Sequence, residues 1–284
     1  MSFKVIDIHP HVISTDLVKF PRDPLGGNQS VWSKERPVSH AQMIAAMDEA
    51  GVEKSAVVQA STCYGHDNSY LAEAVALHPK RFTGVFSADV LAADAPERIR
   101  HWHGKGLTGL RLFTVGSTMT TQSNWLDDPR TFPAWETVEA LNIPMCLQVR
   151  IPGLAMVHTL AAKFPKVRII VDHLMGPEMD DGPPYAKAAP LFELVKYPHV
   201  HLKLTSNSVR AAKKGLATPQ SFFAKLVGEF GASRIAWGSN FPASTGTLKE
   251  ILDESKEALA ALPERDQLQI FRKTAQSLYP SLAD

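Results

Sequence analysis

The sequence predicts an α/β protein folded as a single-domain (β/α)8 TIM barrel over residues 1–284. Eight short apolar segments alternate with amphipathic ones at a spacing of roughly 30 to 35 residues, the length of one strand–helix unit. A chain of this length suits one such barrel, which typically takes about 250 residues. An open doubly wound sheet is the alternative, but His9-Pro10-His11 stands where a glycine-rich phosphate loop would follow the first strand. The pattern therefore favours a closed parallel barrel.

Each strand is predicted from a short apolar run bounded by turn signals. The first begins at Val5 and ends at a pair of histidines. The other seven predicted strands cover 55–61, 83–87, 109–113, 144–149, 167–172, 200–205 and 234–239. Residues 14–37 and 114–130 are polar and lack helical periodicity, so we expect two long loops there.

Helix boundaries are predicted from capping residues. Ser39 with Gln42 three positions later has the pattern of a capping box. Thr218 followed by Pro219 forms an N-cap and first-position pair. The predicted helices cover 39–51, 68–78, 95–105, 132–142, 154–164, 188–197, 218–230, 247–262 and 265–278.

Composition and charge exclude several classes of partner. The formal net charge is +1 and the chain has no basic block, so nucleic acid is not an expected partner. We expect no membrane partner, since no apolar run approaches the roughly 18 residues of a membrane span. No room for a signal peptide precedes the first strand, and Cys63 and Cys146 form no CxxC pair. This pattern favours a reduced, cytoplasmic protein and leaves a homo-oligomer open.

Polar side chains stand at the predicted end of nearly every strand. His9 and His11 are two residues apart, so they lie on the same face of the first strand. In a (β/α)8 barrel the strand ends form the active-site rim, so these side chains are expected to converge. The other strand-end residues are Gln59, Ser61, Ser87, Asp89, Arg111, Gln148, Arg150, Asp172, His173, Lys203, Thr205, Asn207, Ser239 and Asn240. For Gln59 and Ser61, bonding to loop amides is an equal alternative.

Short motifs at these strand ends resemble those of the amidohydrolase-related family, in the branch of lactonases that open 2-pyrone dicarboxylate and sugar lactones. The resemblance covers essentially the whole chain, with its motifs in the family's order. The matching motifs are Asp7-Ile-His9-Pro-His11, Val58-Gln-Ala-Ser61 with His66-Asp67-Asn68, Gly109-Leu-Arg-Leu-Phe113, Asp172-His173 with Pro177, and Trp237-Gly-Ser-Asn-Phe-Pro242.

Three positions depart from the family pattern. Asn240 stands where the family has an aspartate that ligates metal and serves as general base, and an amide cannot take a proton at neutral pH. Gln148 lies near the place of the fifth-strand histidine, and no lysine there could be carboxylated to bridge two metals. Gly176 replaces an arginine that grips a carboxylate in the dicarboxylate lactonase. The resemblance therefore implies at most one metal and a different substrate.

The resemblance implies a site that polarises a carbonyl. His9, His11 and His173 would hold one divalent ion, zinc first among the candidates, since three neutral imidazoles and water form an ordinary zinc set. A metal-free mechanism is the alternative, with the same histidines as hydrogen-bond donors. With Asn240 in the usual position of the base, the candidates for that role are His173, His66 and Asp67.

The predicted function is hydrolysis of a lactone, or a similarly activated cyclic ester, of a small substrate bearing a carboxylate. Arg111 and Lys203 would hold the acidic end of the substrate, with Gln148, Arg150 and Ser61 as further substrate-binding residues. For Lys203, an ion pair with a rim acid such as Asp89 is the alternative. Two other functions remain open: a decarboxylase or hydratase of a small carboxylic acid, and a binding barrel without turnover.

Overall fold

The computed structural model describes residues 3–283, which form a barrel of eight parallel strands in sequence order. The strands are β1 (Val5–Asp7), β2 (Val52–Val58), β3 (Phe82–Ser87), β4 (Leu107–Phe113), β5 (Met145–Gln148), β6 (Ile169–Val171), β7 (Val200–Thr205) and β8 (Ile235–Gly238). The Ile8 amide donates a hydrogen bond to the Trp237 carbonyl at 3.2 Å, which brings β8 back to β1. The predicted (β/α)8 barrel is therefore confirmed, and the open sheet is wrong.

Helices surround the barrel and follow the predicted order. They are α1 (Val31–Glu35), α2 (His40–Ala50), α3 (Ser61–Tyr64), α4 (Ser69–Leu77), α5 (Ala95–Gly104), α6 (Phe132–Leu141), α7 (Leu154–Lys163), α8 (Ala189–Phe192), α9 (Ser206–Ala211), α10 (Pro219–Phe230), α11 (Leu248–Ala258), α12 (Glu264–Leu268) and α13 (Thr274–Leu278). A π-helical segment, Gln269–Lys273, joins the last two helices. Within residues 3–283, no helix combines the length and the apolar character needed to span a membrane.

The predicted capping signals act as expected. Ser39 and Gln42 form a reciprocal capping box at the start of α2. The Thr218 side chain accepts a hydrogen bond from the Ser221 amide at the start of α10. These local bonds satisfy backbone amides that have no partner inside a helix.

The strand predicted at 55–61 ends at Val58, and Ser61 begins α3. Two further predicted segments differ from the structure. The expected loop at residues 14–37 contains helix α1, and its five residues are too few for a helical period to show in the sequence. The expected helix at residues 188–197 is only the single turn α8, flanked by 3-10 turns. Such short pieces are held by packing rather than by intrinsic helix stability.

The end of the barrel formed by the strand N-termini is closed by the C-terminal segment. Leu278 and Tyr279 are fully buried and pack with barrel residues such as Ile6 and Ile170. The Arg168 guanidinium, just before β6, donates hydrogen bonds to the Ser277 and Leu278 carbonyls at 2.8 and 3.1 Å. Access to the barrel interior is therefore confined to the opposite end, where the strands terminate.

Candidate active site

A cavity of about 790 Å³ opens at the C-terminal ends of the strands. It brings together residues from the first, second and fourth to eighth strand ends. The predicted strand-end residues that line it are His11, Gln59, Ser61, Arg111, Gln148, Arg150, Asp172, His173, Asn207 and Asn240. This is the rim at which (β/α)8 enzymes carry their chemistry.

Three histidines lie together at the floor of this cavity. His11 and His173 line it, and His9 lies beneath them. The His9 ring is fully buried and stands edge-on to His11 and His173, with ring centroids 5.0 and 4.8 Å away. Nδ1 of His11 lies 2.9 Å from the Val58 carbonyl oxygen. Because a carbonyl only accepts, this Nδ1 carries the proton and Nε2 holds the lone pair. Nδ1 of His173 lies 2.7 Å from the Thr205 hydroxyl.

All three imidazoles are neutral at physiological pH. Burial, together with the Arg111 charge, lowers the pKa of His11 to about 3. Burial lowers the pKa of His173 to about 4, although the neighbouring Asp172 carboxylate opposes the shift. Burial and the Lys203 charge hold the pKa of His9 well below its usual value. Neutral imidazole is the form that ligates metal or accepts a proton.

A buried charge network lies beside the histidines. Nε of Arg111 donates a hydrogen bond to Oδ2 of Asp172 at 2.7 Å. Nζ of Lys203 lies 2.8 Å from Oδ1, the other oxygen of the same carboxylate. Nη2 of Arg111 also donates to Gln148 at 2.8 Å. Burial alone would raise the pKa of Asp172, but the Lys203 and Arg111 charges outweigh it and hold the pKa far below its usual range. The carboxylate is therefore ionised and fixes the direction in which Arg111 points.

Lys203 occupies a different position from the one expected for a substrate-binding residue. Its side chain is fully buried, pairs with Asp172 and does not line the cavity. The alternative pairing with Asp89 is also wrong, because the acid that Lys203 meets is on the neighbouring strand end. The sequence motif Asp172-His173 was recognised, but the structural role of Asp172 was not assigned from it.

A second buried carboxylate, Asp7, joins the two ends of the strand order. Its Oδ1 accepts the backbone amides of His9 at 2.9 Å and Ser239 at 2.8 Å. Burial raises the pKa of Asp7 to about 6, with hydrogen bonds from Ser239 and the His9 amide opposing the shift. Asp7 thus fixes the backbone that carries His9 against the end of β8.

Two rim segments adopt left-handed backbone conformations. His173, Leu174 and Met175 have φ values of 53°, 55° and 63°, and Gly176 follows at 60°. A left-handed conformation costs a residue with a side chain about 1 to 2 kcal/mol. Asn240 has φ 59°, a conformation that asparagine tolerates better than most residues. Strain of this kind is typical of residues held in place for function.

The mouth of the cavity is positively charged. Arg150, Arg210 and Lys214 line the cavity together with Arg111 at the floor, and Asp172 is the one carboxylate among the described lining residues. Trp32 from α1 lies over the His11 ring with centroids 5.3 Å apart. The sequence did not point to Trp32, Arg210 or Lys214, because they come from helices α1 and α9 and the segment after α9 rather than from strand ends.

His66 and Asp67 do not reach this cavity. Nδ1 of His66 lies 2.8 Å from the Ser87 hydroxyl, and its ring lines a separate, smaller cavity with Arg98 and Trp102. An oxygen of Asp67 accepts the Ser69 amide at 2.9 Å and so caps α4. Helix α3 carries the chain away from the rim immediately after Ser61, which explains their position.

The residues at the floor fit a divalent cation. Candidate ligand atoms of His9, Asp172 and His173 lie within 4.8 Å of one another. Both ring nitrogens of His9 are buried without a hydrogen-bond partner among residues 3–283, a rare condition for buried polar atoms. This group shares His9 and His173 with the predicted set, and it contains Asp172 in place of His11. Asp172 already faces two cationic side chains, so it offers a metal less charge than a free carboxylate.

Comparison with known proteins shows what the whole chain is similar to. The chain is 26% identical over 246 residues to the L-fucono-1,5-lactonase of Burkholderia ambifaria, covering 86% of this chain and 82% of the relative. A proposed 2-pyrone-4,6-dicarboxylic acid hydrolase from Pseudomonas putida superposes over 100% of both chains with a TM-score of 0.78 and 20% identity. An amidohydrolase from Burkholderia multivorans solved with bound zinc superposes with a TM-score of 0.77 and 20% identity, covering 98% of this chain and 99% of the other. The amidohydrolase family profile matches residues 6–281, and the chain therefore belongs to the amidohydrolase family.

Proposed function

We propose that the protein hydrolyses a lactone, or a similarly activated cyclic ester, of a small substrate that carries a carboxylate. The observation that carries the proposal is the meeting of neutral histidines and a fixed arginine at the floor of a cationic cavity. The relation to a fucono-lactonase supports the same reaction class.

The floor can stabilise charge that develops on a carbonyl oxygen. Arg111 is held by Asp172 and Gln148, so its guanidinium needs no rearrangement when negative charge forms. Fixed donors of this kind in a site shielded from water contribute several kcal/mol to transition-state stabilisation. His11 and His173 line the same space and orient the ester beside Arg111.

In the metal-free form, a proton acceptor for the attacking water is available in His173, in the tautomer that carries its proton on Nδ1 and donates it to Thr205. Its Nδ1 is engaged by Thr205, which leaves Nε2 as the free ring nitrogen. The lowered pKa of about 4 makes it a weak base. A strained or activated lactone requires less of its base than an amide does, so a weak base is sufficient.

His9, His173 and either His11 or Asp172 would hold a divalent ion in this site. When bound, the ion would supply Lewis-acid polarisation of the carbonyl. Zinc is the ion expected for imidazole ligands in this number. Elemental analysis of the purified protein distinguishes the two forms, because one zinc per chain would make His173 a ligand and the absence of zinc would leave it as the proton acceptor.

The mouth of the cavity supports recognition of an anion. Arg150 and Lys214 line the cavity and have no ion-pair partner among the described residues. Arg210 is held by Glu254 and by the Thr245 carbonyl, so its charge is partly neutralised. Two free cations at the entrance would attract a carboxylate and raise its local concentration.

The test is a panel of five- and six-membered lactones with and without carboxylates, followed by acid release with a pH indicator. We expect turnover of at least one lactone, and a fall in kcat/KM of roughly 100-fold or more in His173→Asn. His201→Asn, at the opposite end of β7, is the control and should retain activity. Release of CO2 from aromatic acids would identify a decarboxylase instead, and binding without turnover would identify a binding barrel.

A further inference from the structure

A chain of three buried side chains lies behind Asn240, outside the polarising group. Nδ2 of Asn240 lies 2.9 Å from the Ser244 hydroxyl, which lies 2.7 Å from the Ser206 hydroxyl. The Ser206 hydroxyl in turn lies 2.9 Å from the Ser239 carbonyl oxygen. All three side chains are at least nine-tenths buried. This hydrogen-bonded series begins at the cavity wall and ends on the carbonyl of Ser239, the residue that follows β8.

Counting protons fixes the direction of every bond in this chain. A carbonyl only accepts, so the single proton of Ser206 is donated to Ser239. Ser206 must then accept the single proton of Ser244. With its own proton committed, Ser244 can only accept from residue 240. If Ser206 donated to Ser244 instead, the Ser206 hydroxyl oxygen and the Ser239 carbonyl oxygen would lie 2.9 Å apart with no proton between them.

The side chain at position 240 must therefore be a donor toward Ser244. An amide meets this requirement, and an ionised carboxylate does not. The backbone of Asn240 is also fixed, because its amide donates to the His9 carbonyl at 3.0 Å. Ser244 and Ser206 thus require a hydrogen-bond donor at position 240. An asparagine in place of the family's aspartate meets this requirement.

We infer that Asn240 is a specificity-determining residue whose Oδ1 is presented to the cavity as a fixed acceptor for a hydroxyl or other donor on the ligand. Oδ1 has no hydrogen-bond partner in the described part of the chain, and Asn240 lines the cavity. Ser244 and Ser206 are positioning residues, since they hold the amide in this orientation. A ligand that offers only carboxylate oxygens at this wall would meet an oxygen and be disfavoured.

This inference deepens the proposed function, because it states what the ligand must carry besides its carboxylate. It is tested by binding rather than by turnover. Galactarate and adipate have the same six-carbon diacid skeleton and charge, and they differ in the hydroxyls of galactarate. Their dissociation constants are measured by calorimetry on the full-length protein.

We expect the wild-type protein to bind galactarate about tenfold or more tightly than adipate. Ser244→Ala frees the amide to rotate and should bring the ratio of the two dissociation constants close to one. Ser206→Ala should act in the same direction and serves if Ser244→Ala does not fold. Ser255→Ala is the matched control, because the buried Ser255 hydroxyl bonds the Ile251 carbonyl within α11 at 2.8 Å and does not line the cavity. Its ratio should stay at the wild-type value.

Two results would overturn the inference. The first is that the wild-type protein binds galactarate and adipate equally tightly, or binds neither of them. The second is a ratio that Ser244→Ala and Ser206→Ala leave unchanged. Failure of every lactone assay with the expected binding ratios intact would reject the proposed function and leave the role of Asn240 standing.

Discussion

The two ends of the barrel differ in how their polar groups are satisfied. At the closed end, apolar side chains such as Ile6, Ile170 and Leu278 fill the interior. Its polar contact between the Tyr279 hydroxyl and the Cys146 thiol, at 3.3 Å, pairs two neutral groups. At the open rim, a buried lysine and arginine share one carboxylate. The His9 ring nitrogens there have no partner among the described residues.

This difference indicates that the groups that lower the stability of the fold lie at the rim, where the candidate active site is. Burying charges costs several kcal/mol per ion unless they are paired with good geometry. Left-handed residues at the end of β6 add further strain. The closed end carries the packing that offsets these costs. Substitutions at the two ends should therefore separate stability from ligand binding.

The largest effect is expected from Lys203→Met. The substitution leaves the Asp172 carboxylate buried with one cation instead of two. Breaking a buried ion pair in this way typically costs about 3 to 5 kcal/mol. The measurement is the free energy of unfolding in guanidinium chloride.

Lys249→Met is the control for this substitution. Lys249 forms an i,i+4 pair with Asp253 on the exposed face of α11. Exposed helical pairs of this type contribute little to stability. A loss in Lys203→Met no larger than that in Lys249→Met would show that the rim network is not needed for stability.

Leu278→Ala tests the closed end. Leu278 is fully buried in the barrel interior, and truncating a buried leucine costs about 2 to 5 kcal/mol. Because Leu278 lies at the closed end and does not line the cavity, the affinity for galactarate should not change at a temperature where the variant is folded. A tenfold loss of affinity would mean that packing at the closed end controls the rim geometry.

The sequence predicted the barrel and the order of its strands better than the contacts at the rim. Strand alternation and the Ser39 capping box are local patterns, so they can be read without knowing the fold. The histidines were also within reach, because barrel strands end at one rim and residues two apart share a face. The positions of these residues therefore followed from topology.

Other parts of the site depended on contacts between distant segments. Lys203 meets Asp172 because β6 and β7 pair in a register that sets Val171 opposite Leu202. His66 leaves the rim because α3 turns the chain immediately after β2, and this four-residue helix has no sequence period. Trp32 reaches the cavity from α1 and Lys214 from the segment after α9, and the placement of both segments is set by tertiary packing.

The next largest effect is expected in the pH dependence of stability, for which the rim and the closed end each contain a histidine whose pKa is lowered by burial. An unfolded histidine has a pKa of about 6.5, whereas His173 has a pKa of about 4 in the folded protein. Between these values the unfolded chain binds the extra proton. Stability is therefore complete above pH 6.5 and falls as the pH drops, by about 1.4 kcal/mol per pH unit for this group.

His173→Asn should make this fall less steep by that amount between pH 6 and 4.5. His201, at the start of β7, also has its pKa lowered to about 4, mainly by burial. His201→Asn should reduce the slope equally while leaving ligand binding intact. The measurement is urea unfolding at several pH values. An unchanged slope in both variants would contradict the buried, neutral state of these rings.

The smallest effect is expected from Lys214→Met at the mouth of the cavity. Lys214 is exposed and lines the cavity, so its charge should attract an anionic ligand without contributing to the fold. Removing one exposed charge should weaken galactarate binding roughly two- to fivefold at low salt. The difference should disappear at about 0.5 M salt, where such charges are screened.

Lys213→Met is the matched control for Lys214→Met. Its side chain pairs with Glu254 at 3.1 Å, and it does not line the cavity. Calorimetry at 20 mM and 0.5 M salt should therefore show a salt-dependent loss of affinity for Lys214→Met alone. Exposed charges are weakly screened at the lower salt concentration and strongly screened at the higher one. Equal losses in both variants would indicate a diffuse surface potential. The cations at the mouth would then act through net charge rather than as a site for the carboxylate.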